Sequence, residues 1–139
     1  MNNFKLLSMS FTLVCDREIP KENNPYYISP GGYELVNGKR FDFFSSIGNV
    51  DPEDRTKVEF DVLELDDEYS DVITEKDLKQ PFTEFFIYTG EYNDPQIGIK
   101  EVKDAEFEVE KDGEIKIVHA TKKQMKSINA YIKAEISSE

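Results

Sequence analysis

Apolar residues recur at every second position in several segments of this chain, and a helical spacing replaces that alternation near the C-terminus. A period of two is what a strand with one buried face requires, because successive side chains point to opposite sides of the backbone. The first instance is Leu7, Met9, Phe11, Leu13 and Cys15. The same stretch has the apolar character of a short secretory h-region. Against that, Val14 stands where a lipoprotein signal carries a small residue, no A-x-A site follows, and Ser8, Ser10 and Thr12 interrupt the run. The segment is therefore expected to be the first strand of the fold.

Two glycine-bearing turns predict hairpins. In residues 33–44, a three-residue turn of Val36, Asn37 and Gly38 sets Tyr33 against Phe41 and Glu34 against Arg40, which separates apolar from charged faces. Gly38 then supplies the left-handed position of a type I turn with a G1 bulge. The same criterion applied to residues 105–119 favours a three-residue turn of Lys111, Asp112 and Gly113. That register pairs Val109 with Ile115, Phe107 with Ile117, and Glu108 with Lys116. A two-residue turn would set Val109 against Lys116 and is disfavoured on that ground.

Between the hairpins, residues 57–65 alternate through Val58, Phe60 and Val62 and then change phase to Leu63 and Leu65, the mark of a β-bulge. Residues 83–89 have a strand composition, and residues 97–102 are a weaker candidate. Residues 16–32 are rich in Pro and Gly and read as a long loop tacked down by Tyr26, Tyr27 and Ile28. Residues 66–80 are acidic, with room for one helical turn around Thr74–Leu78. The C-terminal helix is announced by a Thr121–Gln124 capping box and a stripe of Met125, Ile128, Ile132 and Ile136. The expected fold is one α+β domain over residues 1–139, mainly antiparallel sheet of six to eight strands, either open or curled into a barrel-like form, with one C-terminal α-helix packed on it.

Ten Phe and seven Tyr among 139 residues supply core material and argue against disorder despite a net charge of −12. The charge is concentrated: residues 51–114 hold 22 acidic and 7 basic side chains, a net of −15. Strand alternation puts Glu59 and Asp61 on one face, likewise Glu106, Glu108 and Glu110, and Glu64, Asp66, Asp67, Glu68 and Asp71 continue the run through a loop. Such a surface repels nucleic acid and anionic membrane and attracts basic proteins. Phe86, Tyr88 and Tyr92 are the aromatic residues beside it that could join a contact surface.

Groups for chemistry are scarce. One His and one Cys argue against a zinc site, the acidic loop lacks the glycine and spacing of an EF-hand, and Pro30–Gly31–Gly32 is not a phosphate loop. His119 and Cys15 read as structural, and no catalytic residue, metal or cofactor is expected. Lys122 and Lys123 in the first helical turn oppose the helix dipole, and a nearby acidic sheet is the expected compensation. The expected function is a cytoplasmic, non-enzymatic binding or inhibitor protein of the immunity or phage anti-defence type. It would act on a basic partner, a toxin or a nucleic-acid-binding protein, by presenting a nucleic-acid-like charge pattern. Rival classes are a small-molecule-binding barrel and an assembly component of a phage or other large particle.

Overall fold

The computed structural model describes residues 3–21, 26–44, 46–89 and 98–137. Among them are eight strands, β1 (Phe4–Cys15), β2 (Tyr26–Leu35), β3 (Arg40–Asp42), β4 (Ser46–Val50), β5 (Lys57–Glu64), β6 (Phe82–Thr89), β7 (Ile99–Lys111) and β8 (Glu114–His119). One helix, α1 (Lys122–Ser137), follows them. All the pairings are antiparallel. One sheet runs β4-β5-β1-β7-β8, and the other is built on β2, which pairs with β3, β4 and β6. β4 belongs to both: Ser46–Gly48 pair with β2, then Asn49 and Val50 pair with Glu59 and Val58. The sheets do not close into a barrel. At the handover Gly48 lies so close to β5 that a Cβ there would press on Val58 and come within 2.6 Å of the Phe60 ring.

Bulges set which residues face the core. In β5, Met9 opposes Leu63 and Phe11 opposes Phe60, so Asp61 and Val62 together face Ser10. That is the bulge the phase change predicts, and it leaves Val62 exposed. In β1 a second bulge falls between Leu6 and Ser8. The buried set is therefore Leu6, Met9, Phe11, Leu13 and Cys15, with Leu7 displaced to half-buried rather than at the head of the row. A third bulge in β7 holds Asp104 at a left-handed φ of 54° and joins residues expected as two segments into one strand. The 16–32 loop is shorter than expected, because β2 already begins at Tyr26. β4 is a strand that the alternation did not reveal.

The first hairpin has the predicted register, Tyr33 with Phe41 and Glu34 with Arg40, and Gly38 takes a φ of 85°. The second does not. Val109 faces Lys116, Glu108 faces Ile117, and Glu110 faces Ile115, a two-residue turn through Asp112 and Gly113 with φ of 51° and 83°. Two consecutive positive φ values are the mark of a type I′ turn, whose twist matches the flanking strands. Apolar matching could not decide the register because β8 runs past the core. Glu114, Ile115, Lys116 and Ile117 are all exposed, whichever face they occupy. With no burial at stake, turn chemistry prevails.

The interior is filled by rings. Tyr33 lies 4.5 Å from Phe85, 5.4 Å from Phe43 and 5.7 Å from Phe41, centroid to centroid. Phe85 in turn meets Phe82 at 5.3 Å and Phe11 at 6.0 Å, and Phe11 meets Phe60 at 5.8 Å. Cys15 belongs to this core, its thiol pushed up to about 12 by burial and then by the neighbouring Asp16 carboxylate. The Tyr33 hydroxyl is fully buried with no hydrogen-bond partner. Burial, and secondarily Asp42, drives its pKa upward and keeps it neutral.

α1 packs between β6 and β7. Its start is the predicted capping box: Thr121 N–H donates to Gln124 Oε1 at 2.9 Å and Gln124 N–H donates to Thr121 Oγ1 at 3.1 Å. Ile128 and Ile132 are buried and Met125 packs beside them, while the Ile136 side chain lies outside the described residues. Its polar residues bind strand backbone. Val102 N–H donates to Asn129 Oδ1 at 2.7 Å, and Asn129 Nδ2 donates back to the Val102 carbonyl at 3.1 Å. Phe82 N–H donates to Ser127 Oγ at 3.0 Å, and Gln124 Nε2 donates to the carbonyls of Leu78 and Gln80. The expected pairing of Lys122 and Lys123 with acidic residues is not seen; both are exposed and without an ion pair among the described residues.

Two stability predictions result. Asn129→Leu strips both polar groups of buried Val102 of their partners and should cost about 2–4 kcal/mol in urea denaturation. Tyr33→Phe removes a buried unsatisfied hydroxyl and should be neutral or stabilising by up to about 1 kcal/mol. A clear loss in that second variant would mean that the hydroxyl has a partner.

A carboxylate face beside an open strand edge

The outer face of the β5-β1-β7-β8 sheet gathers most of the acidic strand residues. Register places Glu59 beside Thr12 and Glu64 beside Ser8 on one flank of β1. On the other flank Glu108 lies beside Ser8 and Glu106 beside Ser10, with Glu110 facing Lys5. Small hydroxyl residues of β1 thus separate two carboxylate rows that stand roughly 10 Å apart, twice the strand spacing. Beyond β7 the face continues onto Ile117 opposite Glu108, Ile115 opposite Glu110, and His119 opposite Glu106.

Glu59, Asp61, Glu64, Glu108 and Glu110 have no ion pair among the described residues. Glu106 approaches the exposed His119, Oε1 to Nδ1 at 3.2 Å, a pair that is ionic only when the imidazole is protonated. The face is not uniformly negative. Lys5 Nζ reaches Asp67 at 3.7 Å and Lys103 Nζ reaches Glu101 at 3.8 Å. Glu59 and Asp61 point the same way two residues apart. A hydrogen bond shared between their carboxyl groups, reinforced by repulsion from Asp61, raises the pKa of Glu59.

Two open grooves shape this face. One of about 410 Å³ is lined by Thr12, Asn49, Asp51, Glu59, Lys103 and Asp104 among others. The other, about 280 Å³, lies where the β1 and β5 bulges meet and is lined by Lys5, Leu7, Ser8, Val62, Glu64 and Glu108 among others. Both have mixed polar and apolar walls.

The acidic loop divides by role. Asp66 Oδ1 accepts from Glu68 N–H at 3.1 Å and caps a 3-10 turn over Asp67–Tyr69. Asp71 Oδ2 accepts from Arg40 N–H at 2.9 Å and ties the loop to β3. Asp66 and Asp71 are thus engaged in holding the loop, whereas Glu68 remains exposed. The helical turn expected near Thr74 is a 3-10 turn over Asp77–Lys79. Asp77 Oδ2 accepts from Thr74 N–H at 3.0 Å, and this bond, ahead of those from the Thr74 hydroxyl and Asn37, lowers the Asp77 pKa.

Phe86 does not join the carboxylate rows. It lies half-buried on β6, with β2 and β4 between it and β5. Tyr92 and the Tyr88 side chain lie outside the described residues. A second charged cluster escaped the sequence reading. On the β2-β3-β6 sheet Arg40 reaches Glu84 at 3.1 Å and Glu34 at 3.4 Å, and its guanidinium lies over Gly32, where a Cβ would sit 2.6 Å away. Asp42 completes that cluster, its pKa raised mainly by desolvation. The exposed isoleucines of β8 were also missed, because the register assumed for their hairpin placed them with Val109 and Phe107. The Asp112–Gly113 pair was the signal that could have found them.

Among the described residues no cluster of His, Cys, Asp and Glu could hold a metal ion, and no helix is long and apolar enough to cross a membrane. No family model matches this chain, and neither a curated protein nor a solved structure resembles it significantly.

The Glu59–Asp61 pair yields a pH prediction. With its pKa raised, Glu59 takes up a proton while ordinary glutamates are still ionised, so the face loses negative charge as pH falls through that value. In a carboxylate NMR titration Glu59 should have a midpoint above the ordinary glutamate value, and Asp61→Asn should bring it down. An unchanged midpoint in Asp61→Asn would show that the two carboxyl groups are independent.

Proposed function

We propose that this protein acts by stoichiometric binding of a basic protein partner through the outer face of the β5-β1-β7-β8 sheet. The observation that carries this reading is the pair of carboxylate rows, Glu59, Asp61 and Glu64 on one side of β1 and Glu106, Glu108 and Glu110 on the other, largely without internal counter-charges. Concentrated negative potential speeds encounter with a basic surface and disfavours nucleic acid and anionic lipid. The interior is in keeping with this choice: the described core is filled by packed aromatic rings, and the sheets do not close into a barrel.

Small acidic inhibitors of toxins or of nucleic-acid-binding enzymes, such as immunity and anti-defence proteins, act in this way, and the finer assignment proposed here is to that class. Turnover is not part of the proposal. The exposed His119–Glu106 pair belongs to the proposed binding face.

Charge reversal tests the reading. Glu106→Lys, Glu108→Lys and Glu110→Lys together should leave circular dichroism unchanged. Proteins captured by the wild type from a lysate of the source organism at low salt, and released at moderate salt, should not be captured by the triple variant. Equal capture by both would show that the carboxylate face only confers solubility.

A further inference from the structure

We infer that the partner engages the free edge of β8 by adding an extended basic segment as the next strand, with its cationic side chains laid across Ile115 and Ile117 towards Glu106, Glu108 and Glu110. This inference rests on the basic-partner reading above and deepens it.

The hairpin register determines what β8 offers. In a two-residue hairpin the residues flanking the turn exchange hydrogen bonds, and bonded pairs then alternate along the ladder. Lys111–Glu114, Val109–Lys116 and Phe107–Val118 are accordingly the bonded pairs, and the bond from Ala120 N–H to the Ala105 carbonyl, 2.9 Å, continues the series. Ile115, Ile117 and His119 therefore direct their backbone N–H and C=O groups away from β7. None of these groups has a partner among the described residues. The same three residues carry their side chains onto the carboxylate face, where Ile115 is 64% and Ile117 52% exposed.

Natural edge strands are usually blunted by a proline, a bulge, an inward charge or a covering element. β8 carries the charges Glu114 and Lys116 on the face opposite Ile115 and Ile117, but it has no proline, and its ladder with β7 has no register shift from Glu114 to His119. It presents six regular residues with two branched aliphatic side chains, the surface that a strand-adding peptide uses. Charge complementarity selects the occupant. A second copy would set one chain of net charge −12 against another and bring two carboxylate faces side by side. An extended segment with Lys or Arg at alternate positions meets the opposite field. A strand added beside β8 would lie roughly 10 Å from β7. The aliphatic stem of a Lys or Arg can cross the isoleucine between them while its charged end meets a glutamate.

The test uses the full chain and a capped peptide of alternating Arg and Thr about eight residues long, the usual length of a strand. At low salt the peptide should bind and slow hydrogen exchange at the amides of Ile115, Ile117 and His119. Ile117→Pro removes one outward donor but none of the bonds to β7, and should weaken binding by roughly tenfold or more. A peptide N-methylated at alternate residues, with charge and side chains retained, should lose affinity for the wild-type protein in the same way. Salt-sensitive binding that is indifferent to N-methylation and Ile117→Pro, without new protection on β8, would overturn strand addition and leave the basic-partner reading standing. Concentration-dependent dimerisation of the wild type that Ile117→Pro abolishes would assign the edge to a second copy and overturn the inference. Failure of the peptide to bind would also overturn it, whereas the basic-partner reading itself falls only if charge reversal leaves capture unchanged.

Discussion

Backbone polar groups at the edges of an open sheet must find partners, and this requirement organises the molecule. Among the described residues β7 is longer than β8, so its first half has no strand on that side, and β6 pairs with β2 alone. A further strand would close the gap. The chain instead supplies a helix whose side chains imitate one. Asn129 both accepts from and donates to Val102, as a paired residue would, while Ser127 and Gln124 do the same work along β6 and the segment before it. The apolar stripe of the helix is thereby held over the rings of the core, and the two sheets are joined on the side opposite β4.

The described core is made largely of aromatic rings, and the carboxylates lie outside it. Tyr33, Phe41, Phe43, Phe60, Phe82, Phe85 and Phe11 pack ring against ring in the described core, which also buries one unpartnered hydroxyl. The chemistry that remains is on the outer face, and it was put there by backbone devices. Bulges re-aim residues in β1, β5 and β7, and a type I′ turn brings isoleucines beside glutamates. Had the hairpin adopted a three-residue turn, Ile115 and Ile117 would lie on the opposite side of the strand and the acidic row would face lysine.

Much of the architecture was legible in the residues because burial imposes a period. The helix, its cap, the 33–44 hairpin and the β5 bulge all involve side chains that enter the core, so pattern and structure agree there. The reading failed where burial has no vote. β8 is exposed on both faces, and its register obeys the Asp112–Gly113 turn instead. β4 is short and is defined by its two partners more than by its own composition, so alternation gave no sign of it. The carboxylates of the candidate face could be assigned from strand parity, but which acidic loop residues stay free could not. Asp66 and Asp71 are engaged by backbone N–H groups of Glu68 and Arg40, a matter of three-dimensional proximity.

The central position of β1 has a consequence for biosynthesis. β1 pairs on one flank with β5 and on the other with β7, where Phe4 meets Lys111. It leaves the ribosome well before either neighbour, carrying Met9, Phe11 and Leu13, which the finished protein buries completely or nearly so. Non-local pairing of this kind delays folding, because a long loop must be closed before the first contacts compensate for its entropy. The nascent chain therefore holds these apolar residues unpaired at least until β5 has emerged. Ser8, Ser10 and Thr12 between the apolar residues lower the apolar character of the strand over that interval.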